Sequence, residues 1–454
     1  SVEAYHWLYS QHLALGYYDH PGMIGWLIWL STAIFGDSAL GVRMITFIGS
    51  SIAIWLVFLT GRRLFDDRAG RLAAMLFAVT FGTLKFGSLA TPDAPLLLFW
   101  VAALWALSHA IMGCRTSWWV AAGVFAGLAL LSKYMAIFLP AGVFLFLLFS
   151  REHRFWLWRK EPYLAALVAL VVFSPTILWN AQNGWQSFDY QVVGRLQDQR
   201  TDVRANALSF ARRQAEVMTP FVALWAWGVG LLTVLRWPRL PWPNRFLTAV
   251  GLPMLLFFGA VAFGRPVRGH WILPGAVALY LLVAVVVIRG GRLGKWMMGG
   301  TVAVCSVALL VAAGGHLLWE RGEKHGWQGL AKAVNELRPD FVIAQDYHVA
   351  AHMAFHLRPR TAVDFTAVGA GGKSFQNWWR GEEFEGRNAV IVYEAKAYPA
   401  GLDQVRKYFV SIDEPVDVKV GRFLASEPEP FKLVRARSYR PPDSAERSPT
   451  NGRP

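Results

Sequence analysis

Long apolar blocks separated by short polar breaks fill the chain from about residue 42 to residue 318. A spanning helix needs roughly 20 mostly apolar residues. Blocks of that kind run over 42–60, 71–89, 94–112, 117–132, 134–149, 162–180, 217–235, 245–263, 271–288 and 296–318, which predicts about ten spans. The two that flank Lys133 are short and are expected to tilt apart at Ser132-Lys133-Tyr134. Ahead of them, Gly22–Phe35 is rich in Trp and Ile but short for a span, and reads as an interfacial helix.

Past about residue 319 the pattern changes. Short strand-like runs (Phe341–Ala344, Ala362–Phe365, Ala389–Tyr393, Phe431–Val434) alternate with helical stretches such as Leu330–Leu337 and Val349–Leu357. They predict a small α/β domain. From Arg435 the tail is polar and Pro-rich and reads as disordered. The expected division is therefore 1–41, an outer loop with an interfacial helix; 42–318, transmembrane helices; 319–434, an extracytoplasmic α/β domain; and 435–454, a tail. Gly369–Gly372 lacks the residue order of a phosphate loop and reads as an ordinary loop.

Composition agrees with the pattern: 55% of residues are apolar and 17% charged, against about 25% charged in a soluble domain. A soluble enzyme is excluded for the first two thirds. The chain carries 45 basic and 30 acidic residues, a net +15. That excess does not point to nucleic acid, because it sits in short loops where it orients the chain in a membrane. With Ser1 outside, the inside loops carry Arg62, Arg63, Arg68 and Arg71; Arg115; Arg151 to Lys160; Arg236 to Arg245; and Arg289 to Lys295. The first 41 residues contain no Lys or Arg. Lys133, the run Arg195 to Arg213, and Arg265 with Arg268 fall on the outer side against the trend. Cys114 and Cys305 have no metal-type spacing and read as free thiols.

The chemistry collects on that outer side. The first 41 residues hold Glu3, Asp19 and Asp37, three histidines (His6, His12, His20) and the aromatics Tyr5, Trp7, Tyr17 and Tyr18. Gly16 to Pro21 reads as a turn that presents Tyr18, Asp19 and His20. Each candidate also suits a plainer role. Asp19 and His20 suit a cap of the next helix, and Glu3 suits a solvated loop. Asp93 in Thr91-Pro92-Asp93-Ala94-Pro95 suits the N-cap of a helix beginning at Ala94. Lys133 is a costly intramembrane charge unless it snorkels to the interface. Arg265, Arg268 and His270 suit a phosphate, or simply lipid headgroups. The stretch from Asn180 to Arg213 reads as an amphipathic lid. Taken together, carboxylates able to act as a base and cations able to neutralise an anionic leaving group fit a polyprenyl-phosphate sugar.

These residues carry a resemblance. Glu3-Ala4-Tyr5-His6-Trp7-Leu8, followed by Leu15-Gly16-Tyr17-Tyr18-Asp19-His20-Pro21, resembles the first outer loop of bacterial glycosyltransferase family 39. That group has the GT-C fold, and its relatives are the protein O-mannosyltransferases and the lipid A aminoarabinose transferases. Thr91-Pro92-Asp93-Ala94-Pro95-Leu96 and Leu131-Ser132-Lys133-Tyr134 resemble two further signatures, and the similarity covers about residues 3 to 280. The resemblance implies a cell-envelope enzyme of the bacterial inner membrane, with its active face extracytoplasmic. It would move a sugar with inversion from a polyprenyl-phosphate donor to a lipid, glycan or protein acceptor. It also implies a span preceding the first loop, so an upstream segment is expected. The family's loop opens with an Asp-Glu pair whose Asp is the favoured base; here that position is Val2, and only Glu3 matches. Asp19 matches the second acidic position and is the first choice for the catalytic role, Glu3 the second. Tyr18, His20, Asp93, Lys133, Arg265, Arg268 and His270 carry over as substrate-binding candidates. No cofactor is required by the pattern, and a divalent metal at Asp19 and His20 stays open.

Two other classes compete. A flippase for a lipid-linked sugar would share the cations but not the acidic cluster, and no repeated halves are visible. A degenerate relative acting as a binding subunit is motivated by Val2.

Overall fold

The computed structural model describes residues 2–113, 115–192, 203–292, 326–358, 361–365, 374–395, 402–420 and 429–441, with isolated positions besides. It divides into two compact units, one formed by 1–12 with 312–454 and the other by 13–311. Helix α1 (Val2–Gln11) belongs to the first.

Among its described residues the second unit is built of helices. It opens with α2 (Met23–Phe35), α3 (Ala39–Leu64), α4 (Asp67–Val79) and α5 (Phe81–Ser88). The hairpin of α6 (Asp93–Gly113) and α7 (Thr116–Ser132) follows, then α8 (Phe138–Phe149) and α9 (Lys160–Gln182). The short α10 (Gln186–Val192) leads to α11 (Val203–Met218), α12 (Pro220–Leu235), α13 (Trp242–Ala262) and α14 (Leu273–Arg289).

Local chemistry sets several of these ends. The Ser38 hydroxyl accepts from the Gly41 N–H at the start of α3, and the Asp66 carboxylate accepts from the Ala69 N–H at the start of α4. Pro220, Pro243 and Pro274 sit in the first turns of α12, α13 and α14, where a missing N–H costs nothing.

Helices occupy all nine expected span positions between 42 and 288. Among the described residues five segments are long and apolar enough to cross a membrane: α3, α6, α9, α13 and Gly269–Arg289. The bent pairs α4–α5 (67°) and α11–α12 (105°) raise the number to seven. The tenth expected span, both cysteines, Arg195, Gly369 to Gly372 and residues 442–454 lie outside the described residues, save isolated positions in that span.

Helix α9 illustrates why a bilayer suits this unit. Ala165, Ala169, Phe173, Thr176 and Asn180 form its buried stripe, while Leu167, Leu170, Val171 and Leu178 are exposed. Leaving such a face in water is unfavourable, and lipid covers it without cost. Helix α2 likewise exposes Trp29, Leu30, Ile34 and Phe35. Within the unit, small residues let backbones touch. A Cβ on Gly70 would lie 2.5 Å from the Phe58 carbonyl, and one on Gly251 would lie 2.6 Å from the Gly275 carbonyl.

The first unit is an α/β fold. Its longer helices are α1, α15 (326–336) and α16 (Tyr347–His356), with short ones at Phe375–Trp378 and Leu402–Arg406. The sheet comprises β1 (Phe341–Ala344), β2 (Ala362–Asp364), β3 (Ala389–Glu394), β4 (Phe409–Ile412), β5 (Val416–Val420) and β6 (Glu429–Tyr439). Its order is β2-β1-β3-β6-β4, with β5 also paired to β6. β1 runs parallel to β2 and β3, and β6 antiparallel to β3, β4 and β5. All four residues of β1 are buried, as expected of a strand covered on both faces.

Three boundaries differ from the sequence expectation. Residues 2–11 form a helix packed on α16, so the segment 1–41 is shared between the two units. Tyr5 packs against Tyr9, Tyr347 and Phe375, and its hydroxyl accepts from the Ser374 N–H at 3.2 Å. Ala4 to Ser10 are buried without a break; a helix covered all round shows no polar face, which hides it. The last strand runs to Tyr439, five residues into the expected tail. There Arg435 and Arg437 point outward between buried Val434, Ala436 and Tyr439, and the outward arginines read as tail. Strands β4 and β5 have no counterpart in the sequence expectation.

Because the α3–α4 contact has no room for a Cβ, Gly70→Ala should lower stability by about 1–3 kcal/mol. The check is a thermal melt followed by tryptophan fluorescence in detergent. Gly113→Ala, at a position with open space around it, should leave the midpoint unchanged.

Candidate functional site

The α6–α7 hairpin places its two ends side by side, so Asp93 at the start of α6 meets Lys133 just beyond α7. Helix α7 stops at Ser132, and Lys133 is extended (φ −161°, ψ 135°) before a single 3₁₀ turn, Tyr134–Ile137, leads into α8. That break turns the Lys133 side chain inward. Its ammonium donates to the Asp93 carboxylate at 2.7 Å, with side chains 7% and 9% exposed. Lys133 therefore does not snorkel, and the Asp93 carboxylate serves the lysine, with α6 beginning at Asp93 itself.

The other carboxylate oxygen of Asp93 lies 3.8 Å from His270 Nε2, a charge contact longer than a hydrogen bond. His270 sits in the turn that opens the span Gly269–Arg289, and its ring stacks on Phe86 with centroids 4.2 Å apart. Three further charged groups act on this cluster. His20 lies within electrostatic reach of Asp93, and Lys85 and Arg268 within reach of His270. The Thr91 hydroxyl, two residues before Asp93, is buried and has no hydrogen-bond partner among the described residues.

The predicted turn is present. The Tyr17 N–H donates to the His20 carbonyl at 2.8 Å, and Gly16 bridges Pro21. Gly16 is needed because a Cβ there would come within 3.1 Å of the Trp179 ring. The turn is pinned from outside: Gln191 Nε2 on α10 donates to the Asp19 carbonyl at 2.6 Å, and Tyr18 packs on Tyr190 at 5.0 Å. Burial pushes the Tyr17 phenol up, opposed by the Ala14 N–H it accepts. Tyr18 is raised by burial first, and then by Tyr190 and Asp19. Both phenols therefore stay protonated as hydrogen-bond donors at neutral pH.

Asp19 is buried and lies within electrostatic reach of Tyr134, the neighbour of Lys133. Tyr134 is itself held, with its hydroxyl 2.8 Å from Ser187 Oγ and accepting from Asn180 Nδ2 at 3.4 Å. Phe188 N–H donates to Asn180 Oδ1, so the start of α10 is tied to the end of α9.

The structure thus brings Tyr18, Asp19, His20, Asp93, Lys133, Arg268 and His270 into one end of the helical unit. Arg265 lies on the same connection, three residues before Arg268. Glu3 is buried on α1, in the first unit. Of the expected lid, residues 193–202 lie outside the described residues. Lys85 is a residue that sequence reasoning missed. It lies inside the apolar block 71–89, where a lone lysine is costly enough to be a signal in itself. Its ammonium sits 5.7 and 5.8 Å from the Phe81 and Phe86 ring centroids, on a short helix detached from α4 by the bend after Val79. Among the described residues no three His, Cys, Asp or Glu side chains gather as a metal site.

Comparison with known proteins places this geometry. A solved structure of ArnT from Cupriavidus metallidurans bound to undecaprenyl phosphate superposes with a TM-score of 0.65 at 17% identity. The superposition covers 96% of this chain and 93% of that one. An oligosaccharyltransferase from Archaeoglobus fulgidus gives 0.52 at 14% identity over 82% of this chain and 60% of that one. The protein is a multi-pass membrane protein with the GT-C fold.

Residues 19–179 match the model of the dolichyl-phosphate-mannose-protein mannosyltransferase family. An undecaprenyl phosphate-α-4-amino-4-deoxy-L-arabinose arabinosyl transferase of Pseudomonas paraeruginosa is 33% identical over 182 residues, 38% of this chain and 32% of that protein. The lipid A galacturonosyltransferase RgtD of Rhizobium johnstonii is 27% identical over 229 residues, 49% of this chain and 48% of that protein. Over that part the chain is similar to the lipid A aminoarabinose transferases, and the matched part spans about a third of the length of those relatives. Asp19, the Asp93 motif and Lys133 all fall inside the residues matched by the family model.

Removing one partner of a buried ion pair strands the other. Asp93→Asn should therefore destabilise the helical unit by about 3–5 kcal/mol, and Asp93→Asn with Lys133→Met should recover most of that loss. A double-mutant cycle on thermal midpoints in detergent checks it; equal losses in the single and double variants would refute the coupling.

Proposed function

We propose that this protein is a glycosyltransferase of the bacterial inner membrane, acting at its extracytoplasmic face. It transfers a sugar from a polyprenyl-phosphate donor to a hydroxyl of a lipid A-type glycolipid, with inversion. The observation that carries this reading is the buried Asp93–Lys133–His270 cluster beside the Asp19 turn, with two further cations in its field. The relatives' substrates support the donor class and the lipid acceptor.

The chemistry needs three things at one place. A carboxylate must take the proton of the acceptor hydroxyl as its oxygen attacks the anomeric carbon. Cations must receive the phosphate as the bond between that carbon and the phosphate oxygen breaks. Donors must orient the sugar. Asp19 is the first choice for the base and Glu3 the second. Because the charge of Lys133 is matched by Asp93, the leaving phosphate falls to Lys85 and Arg268, with Arg265 on the same connection. Lys133 and Asp93 position His270 and the Asp19 turn. Tyr18 and His20 face the sugar as hydrogen-bond donors.

Asp19→Asn should lower turnover roughly 100-fold or more while leaving the thermal midpoint in place, measured with a radiolabelled undecaprenyl-phosphate-linked sugar. Full activity in Asp19→Asn, together with loss in Glu3→Gln, would move the base to Glu3. Activity that appears only after Val2→Asp would establish the degenerate reading instead.

A further inference from the structure

The α/β unit holds a cavity that the transfer chemistry leaves unused. It measures about 660 Å³ and opens between α15 and the end of α16. Gln328, Ala331, Lys332 and Asn335 line one wall. Their spacing of i, i+3, i+4 and i+7 puts all four on one face of α15. Helix α15 buries Leu330, Ala331 and Val334, while Gln328, Lys332 and Asn335 stay exposed. The other wall carries His356 and Arg358. Arg358 is fixed in place: its Nε donates to the Phe355 carbonyl at 2.9 Å, and its guanidinium lies 4.5 Å from the Phe355 ring and 5.0 Å from the Trp7 ring.

Among the described residues the lining has two permanent cations, an imidazole, two amides and no carboxylate. Such a set favours an anion, and the fixed guanidinium has little rotamer freedom left to lose. The volume matters as much as the charge. A phosphate alone would leave most of 660 Å³ empty, whereas cavities of roughly 300–1,000 Å³ suit ligands of drug size. The amides of Gln328 and Asn335 can both donate to and accept from hydroxyls, as sugar recognition requires.

We propose that this cavity binds a phosphorylated sugar of mono- to disaccharide size, with Lys332 and Arg358 on the phosphate and Gln328 and Asn335 on the hydroxyls. Calling that sugar a part of the acceptor rests on the glycosyltransferase reading; the binding itself does not.

The test uses the full chain in nanodiscs without donor, titrated calorimetrically with glucose 6-phosphate, inorganic phosphate and glucose. Glucose 6-phosphate should bind saturably and more tightly than either of the others. Lys332→Glu should weaken it roughly tenfold or more, as loss of a charge-assisted contact implies, at an unchanged thermal midpoint. Arg358→Lys, which keeps the charge but loses the fork, should weaken it less. Lys85→Met with Arg268→Met, which removes the phosphate cations placed in the helical unit, should leave it intact. Equal binding by the parent chain and Lys332→Glu overturns the site. Inorganic phosphate binding as tightly as the sugar phosphate overturns the sugar half of it. Loss of binding in Lys85→Met with Arg268→Met assigns the signal to the helical unit and overturns the proposal, whereas a transferase failure with intact binding leaves it standing.

Discussion

A carboxylate and an ammonium held 2.7 Å apart and away from water bind together more than their own two helices. Each ion alone would cost several kcal/mol to bury, so neither end of the α6–α7 hairpin can settle until the other arrives. Lys133 reaches Asp93 only because the chain is extended between α7 and α8, so the pair also fixes that break and the direction in which α8 leaves it. His270 adds the opening of α14 to the same carboxylate. Elements far apart in the sequence thus meet at one anion.

That arrangement divides the cations into two kinds. Lys133 is spent on Asp93, and the pair presents little net charge to a ligand. The positive potential at this end of the unit comes from Lys85, which rides on a short helix offset from α4, and from Arg268 on the connection before α14. On the proposed reading, a site built this way keeps its scaffold electrostatics separate from its ligand electrostatics, so an anionic leaving group would come and go without disturbing the pair that holds the helices.

The legibility of this protein follows the same physics. The spans are readable because an apolar run of bilayer length fits little besides a membrane crossing, and Lys133 is readable because a charge inside such a run is expensive. The Gly16 to Pro21 turn is readable from its bracketing residues. Lys85 is hidden inside a block whose overall hydropathy still predicts a span; the bend after Val79 that detaches α5 has no Pro or paired Gly to announce it. Helix α1 escapes for the opposite reason, since a helix buried on every side shows no periodic polar face. The end of β6 is masked by Arg435 and Arg437, which alternate with buried residues as a half-exposed strand does but read as tail by composition. For α1 the miss comes from tertiary burial, which a local window does not contain; for Lys85 and β6 it comes from averaging over composition.

The docking of α1 has a consequence for how the molecule is made. Tyr5 accepts its hydrogen bond from a residue 369 positions downstream, so a helix made early in this chain is completed by a segment made much later. Loop closure over such a distance is slow, and synthesis itself imposes a wait of some tens of seconds at about 5–20 residues per second. Throughout that interval Tyr5, Trp7 and Tyr9 lack the aromatic surface that buries them in the finished fold, so the docking of α1 belongs to the last stage of assembly.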